Sequence, residues 1–248
     1  MKNLGIKTAL KKTIHKYLGD ILIPEDLSLL KDIRNGNAFV SYSQQSEDLA
    51  VQTFFKDKKD GFFVDIGAYH PVLYSNTYLF KKKGWKGINI EPNKINFQEF
   101  INLRKDDINL NCGVGAEITK MNYYEFNAPA MNTFSGKKME EFCKNPFFFV
   151  RSISEINIVP LNKILDENLP KNQKIDFFNI DVEGFDLQVL KSNNWNKYRP
   201  TVILIEENLP KNTTYLDSEI YNFLVQLDYN LLNIINGTLM FIDSKVEN

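Results

Sequence analysis

Several acidic residues and one glycine stand where an open α/β sheet does its chemistry. Asp65 and Gly67 close the segment Phe62-Phe63-Val64-Asp65-Ile66-Gly67-Ala68. A glycine directly after a buried strand lets the backbone turn sharply and approach a ligand closely. The carboxylate beside it can accept hydrogen bonds from a loop or a ligand ammonium. Glu91 ends the next apolar run, Gly87-Ile88-Asn89-Ile90, 26 residues after Asp65. An acid there can take both hydroxyls of a ribose and disfavours a phosphorylated one. The pair points to a nucleoside ligand; the plainer alternative is a loop glycine and a surface acid.

A second group of acids follows later strands. Asp181 and Glu183, beside Gly184, come just after the run 175–180, and Glu206 and Glu207 end the run 201–205. Neighbouring strand ends would bring them together in one crevice. Asp181, Glu206 and Glu207 are therefore candidate ligands for a hard divalent cation, Mg2+ or Mn2+, which takes oxygen ligands. Such an ion would lower the pKa of a bound hydroxyl. The alternative is helix capping and charge pairing in a metal-free site. Asp181, Glu183 and Glu206 are also candidate catalytic residues, together with His70. His70 follows the glycine loop and has the pKa range of a base or proton shuttle, although a lone histidine is also an ordinary loop residue. His15 has no comparable context.

These residues require a parallel sheet. Apolar runs at 62–66, 87–91 and 108–112 alternate with helical patterns at 75–83 and 93–104, with Ser75 and Asn93 as N-caps. The alternation resumes with strands at 175–180 and 201–205 and helices at 185–191 and 218–227. Strand–helix–strand repetition is the mark of right-handed βαβ units. The chain ends differently, with runs at 231–235 and 238–242 flanking Asn236-Gly237, the strongest short hairpin signal. The fold class expected is α/β, a Rossmann-like doubly wound sheet, mostly parallel with a C-terminal antiparallel hairpin. Between the halves, 121–160 reads as an irregular aromatic-rich insertion over the C-terminal edge of the sheet. Its run Phe147-Phe148-Phe149 is expected to be core packing.

Composition bounds the rest. At 248 residues the chain fits one α/β domain with an extension: a helical segment over 1–40 and the main domain over 41–248. Thirty Lys and Arg against 31 Asp and Glu leave a net charge of −1, so no global positive field points to nucleic acid. Cys112 and Cys143 fit no metal spacing and read as reduced thiols of a cytoplasmic protein. The first 20 residues carry five lysines among Ile6, Leu10, Ile14 and Leu18, a basic amphipathic helix. It would pack on the domain or on a partner subunit in a homodimer, or rest on a membrane surface. No apolar run is long enough for stable membrane insertion.

Positions 69–72 read Tyr-His-Pro-Val, so the glycine fingerprint of a dinucleotide site is missing. That and the terminal hairpin disfavour a nicotinamide-dependent oxidoreductase. The combined set of motifs instead resembles the FkbM family of methyltransferases. It runs from Ser43-Gln44-Gln45-Ser46-Glu47-Asp48 through Val64-Asp65-Ile66-Gly67-Ala68 and Ser75-Asn76-Thr77. It continues with Gly84-Trp85-Lys86-Gly87, Ile90-Glu91-Pro92-Asn93 and Ile180-Asp181-Val182-Glu183-Gly184. Where many relatives have a small residue and a glycine after the Gly-Ala pair, this chain has Tyr69-His70-Pro71.

The resemblance implies a class I fold, S-adenosyl-L-methionine as cofactor, and transfer to a hydroxyl oxygen. The implied acceptor is a sugar, as a nucleotide-activated sugar or a glycan of a surface polysaccharide. By position, Asp65, Gly67 and Ala68 would line the methionine end of the cofactor, with Ser75, Asn76 and Thr77 counted among its contacts. Glu91 would hold the ribose, Pro92 and Asn93 would lie beside the adenine, and Gly113 and Val114 would face its other edge. Asn132-Thr133-Phe134-Ser135 could bond sugar hydroxyls, and Tyr123, Tyr124 or Phe134 could stack on a sugar face. A non-catalytic nucleoside- or glycan-binding module on the same fold is the alternative.

Overall fold

The computed structural model describes residues 26–56, 58–207, 209 and 213–246. The basic helix expected over the first 20 residues lies outside them. The chain divides into two compact units, Met1–Val40 and Ser41–Asn248. In the first, the described part is a helix, α1 (Asp26–Arg34), with Lys31 and Arg34 in its last turn, where cations suit the helix dipole.

The second unit opens with α2 (Glu47–Phe55), followed by β1 (Phe62–Ile66), α3 (Tyr78–Lys82), β2 (Lys86–Ile90), α4 (Lys94–Leu103) and β3 (Ile108–Leu110). Next come β4 (Gly113–Val114), β5 (Thr119–Phe126), a 3-10 turn (Pro129–Met131), α5 (Gly136–Phe142) and β6 (Val150–Val159). The chain continues through α6 (Leu161–Asn168), β7 (Phe177–Ile180), α7 (Asp186–Lys191), β8 (Val202–Glu206) and a 3-10 turn (Tyr215–Asp217). It finishes with α8 (Glu219–Gln226), β9 (Tyr229–Ile235) and β10 (Thr238–Asp243).

Seven strands form one sheet in the order β3-β2-β1-β7-β8-β10-β9. The first five are mutually parallel, and β10 runs antiparallel to both of its neighbours. This is the expected α/β doubly wound sheet, mostly parallel with a C-terminal antiparallel hairpin. Apolar side chains cover both faces, because a parallel sheet is buried on both sides. One face packs Val64, Ile88, Phe178, Ile203 and Phe241 with Leu165 of α6, Leu190 of α7 and Leu224 of α8. The other packs Phe63, Phe177, Leu204 and Met240 with Val51 of α2, Phe80 of α3 and Trp85.

The local signals work as their chemistry requires. Asn93 caps α4, its side-chain oxygen accepting from the Ile95 and Asn96 amides at 2.9 and 3.0 Å. Asn236 and Gly237 both take positive φ, 43° and 95°, as a two-residue hairpin turn demands. Ser75 is not the N-cap of α3 as expected. The helix starts later, with Thr77 at its N-cap, while Ser75 Oγ accepts from the Tyr78 amide.

The segment expected to be irregular folds as a second sheet, β4-β6-β5, in which β5 and β6 are antiparallel. Few of its strand residues are fully buried, so no apolar run betrays the two strands. The triple-phenylalanine run is not core. Phe147 is 80% exposed and Phe149 54%, on a turn held by Asn127. No helix among the described residues is long and apolar enough to cross a membrane.

Candidate functional site

The strand order reverses between β1 and β7, and a crevice opens at the carboxyl ends of the strands beside that reversal, as open α/β sheets provide. A cavity of about 270 Å³ occupies it. Asp65 comes from β1, Glu91 and Pro92 from the end of β2, Asn179, Asp181 and Glu183 from β7 and the turn after it, and Glu206 from β8. Gly67, Ala68, Tyr69, Tyr74, Ser75 and Asn76 supply the loop wall. Tyr123 of β5 and Met131, Asn132 and Phe134 of the connection to α5 complete the wall. The volume lies close to the lower end of the roughly 300–1,000 Å³ typical of small-molecule pockets.

Glu91 is 3% exposed, and backbone amides hold both of its oxygens. The Tyr69 amide donates to Oε2 at 2.8 Å and the Asn93 amide to Oε1 at 2.7 Å. Burial nevertheless pushes its carboxyl up to about 8. Asn111 donates to the Glu91 and Pro92 carbonyls, at 2.8 and 2.9 Å, and fixes the bend after β2. The acid is thus rigidly presented to the cavity with lone pairs left to accept from a ligand's hydroxyls.

Asp65 is tied differently. Thr77 Oγ1 donates to Oδ2 at 2.6 Å and Asn179 Nδ2 to Oδ1 at 2.8 Å. Asn179 Oδ1 accepts in turn from Asn76 at 2.8 Å. Burial raises the Asp65 carboxyl above its usual range, against the pull of these bonds. Behind them lies Arg104, with no solvent exposure. Its Nε donates to the Pro71 carbonyl at 2.9 Å and one terminal nitrogen donates to Ser75 Oγ and Thr77 Oγ1, both at 3.1 Å. The other faces Asp107 at 3.3 Å. Gly67, at φ +78°, packs so tightly that an added Cβ would meet the Asp181 carbonyl oxygen at 1.9 Å. That glycine is needed first for the approach of β1 to the turn after β7.

Asp181, Glu183 and Glu206 form an acidic cluster in which one carboxylate oxygen from each lies within 4.8 Å of the other two. Burial, then Glu206 and Glu183, raises the Asp181 carboxyl well above the carboxylate range. Burial and Glu206 likewise lift Glu183 to about 8. Lys138 of α5 stands 3.9 Å from Glu183. Glu183 takes a left-handed φ of 50°, and the turn is held by Asp186, which accepts from the Val182 and Gly184 amides at 3.1 and 3.0 Å. Thr133 Oγ1 donates to the Glu183 carbonyl at 2.7 Å.

Other expected residues lie elsewhere. Glu207 does not join the cluster: adjacent strand residues face opposite sides, and its carboxylate accepts from Ser218 Oγ. His70 is not in the cavity wall; its Nδ1 accepts from the Val72 and Leu73 amides at 3.0 and 2.9 Å, and burial lowers its pKa. Gly113 and Val114 belong to β4: Gly113 lies against Ile158 and Phe134, Val114 packs into the core of the main sheet, and neither lines the cavity. Thr77 sits behind Asp65, and the Asn93 side chain caps α4 and donates to Glu125 at 2.7 Å. Thr133 Oγ1 donates to the Glu183 carbonyl, while Ser135 Oγ caps α5 by accepting from the Lys138 amide.

Asn179, Asp186 and Arg104 were not anticipated. Asn179 carried a signal, a lone amide in the otherwise apolar strand Phe177-Phe178-Asn179-Ile180.

The model of the FkbM methyltransferase domain matches residues 65–231, more than half of the chain. The chain belongs to the FkbM methyltransferase family. The FkbM domain therefore contains every acid of the cluster and all of the loop after β1. No individual curated protein matches the chain. Similar solved structures include a Staphylococcus aureus protein assigned as a caffeoyl-CoA O-methyltransferase. It has a TM-score of 0.42 and 11% identity, with 96% of this chain and 99% of that chain covered. A Geobacter sulfurreducens methyltransferase gives a TM-score of 0.40 and 11% identity, covering 93% of this chain and 96% of that one.

Proposed function

We propose that the protein is an S-adenosylmethionine-dependent O-methyltransferase that acts on a sugar hydroxyl, in a nucleotide-activated sugar or a surface glycan, with help from a divalent cation. One observation carries this reading: the buried acid Glu91 and the Asp181–Glu183–Glu206 cluster open on the same cavity. The first suits a ribose and the second suits a reacting hydroxyl.

The residues present fit the cofactor. Glu91 is fixed for the ribose diol, Pro92 lies beside it for the adenine, and Ala68, Ser75 and Asn76 line the remaining wall for the methionine end. Bound S-adenosylmethionine supplies an electrophilic methyl group on a sulfonium. Three clustered carboxylates are a hard oxygen donor set and fit Mg2+ or Mn2+. A cation there would lower the pKa of the acceptor hydroxyl.

The protein's own part is positioning and proton transfer. Burial and the neighbouring acids make Asp181 a stronger proton acceptor than an ordinary carboxylate. Asp186 and Thr133 fix the turn that carries Glu183. Lys138 offsets part of the cluster's charge.

The test is transfer of a labelled methyl group to a panel of nucleotide sugars and methyl glycosides, with Mg2+ or with chelator. Metal-stimulated transfer to at least one sugar is expected. Absence of both transfer and cofactor binding would overturn the proposal.

A further inference from the structure

Two tyrosines of the loop after β1 hold backbone angles that suit glycine. Tyr69 has φ 54° and Tyr74 φ 56°, and bulky side chains seldom occupy this left-handed region. Such strain persists only where the surroundings over-determine it, and it gathers at ligand clamps. Here the surroundings do. The Tyr69 amide is held by Glu91, the turn between the tyrosines by His70 Nδ1, and the Pro71 carbonyl by Arg104. The Ser75 amide donates to the Tyr42 carbonyl at 3.0 Å. The fold fixes this loop at several points without using one of its rings for the core: Tyr74 is 57% exposed.

Both rings line the cavity, nearly parallel at 18° with centroids 6.3 Å apart. With the methyl donor held against Glu91, the acceptor has to enter by the mouth of the cavity. We propose that Tyr69 and Tyr74 form an aromatic shelf that holds the pyranose ring of the methyl acceptor at that mouth. This rests on the reading of the site as a sugar methyltransferase. The negative face of an aromatic ring attracts the polarised C–H bonds on one side of a pyranose, while the phenol hydroxyl stays wet or bonds a sugar hydroxyl. The Tyr74 ring stands largely in solvent at the cavity wall, where an incoming sugar would meet it.

The angle also supplies the test. Glycine adopts φ near +56° without strain, so Tyr74→Gly removes the ring and relaxes the backbone. A ring that served the fold would lower the melting temperature when removed; a shelf leaves it unchanged or raised. Saturation-transfer NMR would be run with methyl gluco-, galacto-, manno- and rhamnopyranosides in the presence of S-adenosylhomocysteine. The C–H protons of at least one sugar are expected to saturate with the wild type. The signal should fall about fivefold in Tyr74→Gly and return in Tyr74→Phe. Affinity for S-adenosylhomocysteine should be the same in all three proteins. Equal signals in wild type and Tyr74→Gly, no signal from any pyranoside, or joint loss of sugar and cofactor binding would each overturn the shelf. Failure of the wild type to bind S-adenosylhomocysteine would instead overturn the proposed function beneath it.

Discussion

The Arg104 guanidinium donates to Thr77 Oγ1 at 3.1 Å, and this bond links the end of α4 to the cavity wall. The same hydroxyl donates to Asp65 Oδ2 at 2.6 Å, so a residue remote in sequence sets the orientation of the acid beside the glycine turn. All three side chains are buried. Thr77→Val keeps the shape and removes both bonds, leaving buried charged groups short of a partner at a cost of about 1–3 kcal/mol. The melting temperature is expected to drop by roughly 2–4 °C for each kcal/mol lost. Affinity for S-adenosylhomocysteine should weaken with it. Thr77→Ser should recover most of both in melting curves and calorimetry, and full activity in Thr77→Val would remove the link from the mechanism.

Glu91 gives a second expectation. Its carboxyl, held near 8 by burial, carries a proton at pH 7 in the free protein. Ribose hydroxyls that donate to it favour the ionised form and lower that pKa. Cofactor binding at pH 7 should therefore release up to one proton. Calorimetry in phosphate and in Tris should give different apparent enthalpies, and the difference should vanish in Glu91→Gln. A buffer-independent enthalpy for the wild type would show that the acid does not meet the ribose.

Asp181 separates chemistry from binding. Asp181→Ala removes the proton acceptor and one arm of the cluster, while the Glu91 end of the cavity is untouched. Turnover should fall by about 10²–10⁴-fold, with affinity for S-adenosylhomocysteine changed less than about threefold, which is about 0.7 kcal/mol. Full turnover of this variant in the presence of chelator would refute both the acid role and the metal role.

The buried acids also set the pH dependence of stability in the ligand-free protein. Burial raises Asp186 from 3.8 to about 7 and Glu91 from 4.5 to about 8. The folded state thus binds more protons than the unfolded state between those values. Their contribution is complete below about pH 4 and is lost as pH rises through 7 to 8. Urea midpoints should fall between pH 5.5 and 8.5, and the slope should flatten in Asp186→Asn. A midpoint that rises over this range would mean that other groups dominate.

Much of this was legible in the sequence because it sits at strand ends. Asp65, Glu91, Asp181 and Glu206 follow apolar runs, and a parallel sheet brings such ends to one edge, so spacing alone placed them together. Glu207 stands apart from the cluster for a simple reason: one residue further along the chain faces the other side. Gly113 and Val114 enter a second sheet that the sequence does not announce. Its strands β5 and β6 carry lysine, asparagine, serine and glutamate on their wet side and show no apolar run. Arg104 was invisible for another reason. Its partners Pro71, Ser75 and Thr77 lie far back in the chain, and only packing brings a guanidinium under that loop.

The most direct measurement is the dissociation constant of S-adenosylhomocysteine for the wild type and for Glu91→Ala, with melting curves to confirm that both are folded. Loss of hydrogen bonds to a charged group is worth about 1.5–3 kcal/mol, so affinity should weaken by roughly ten- to hundredfold. Equal affinity in the two proteins, or no binding by the wild type, would contradict the assignment of this cavity to the methyl donor.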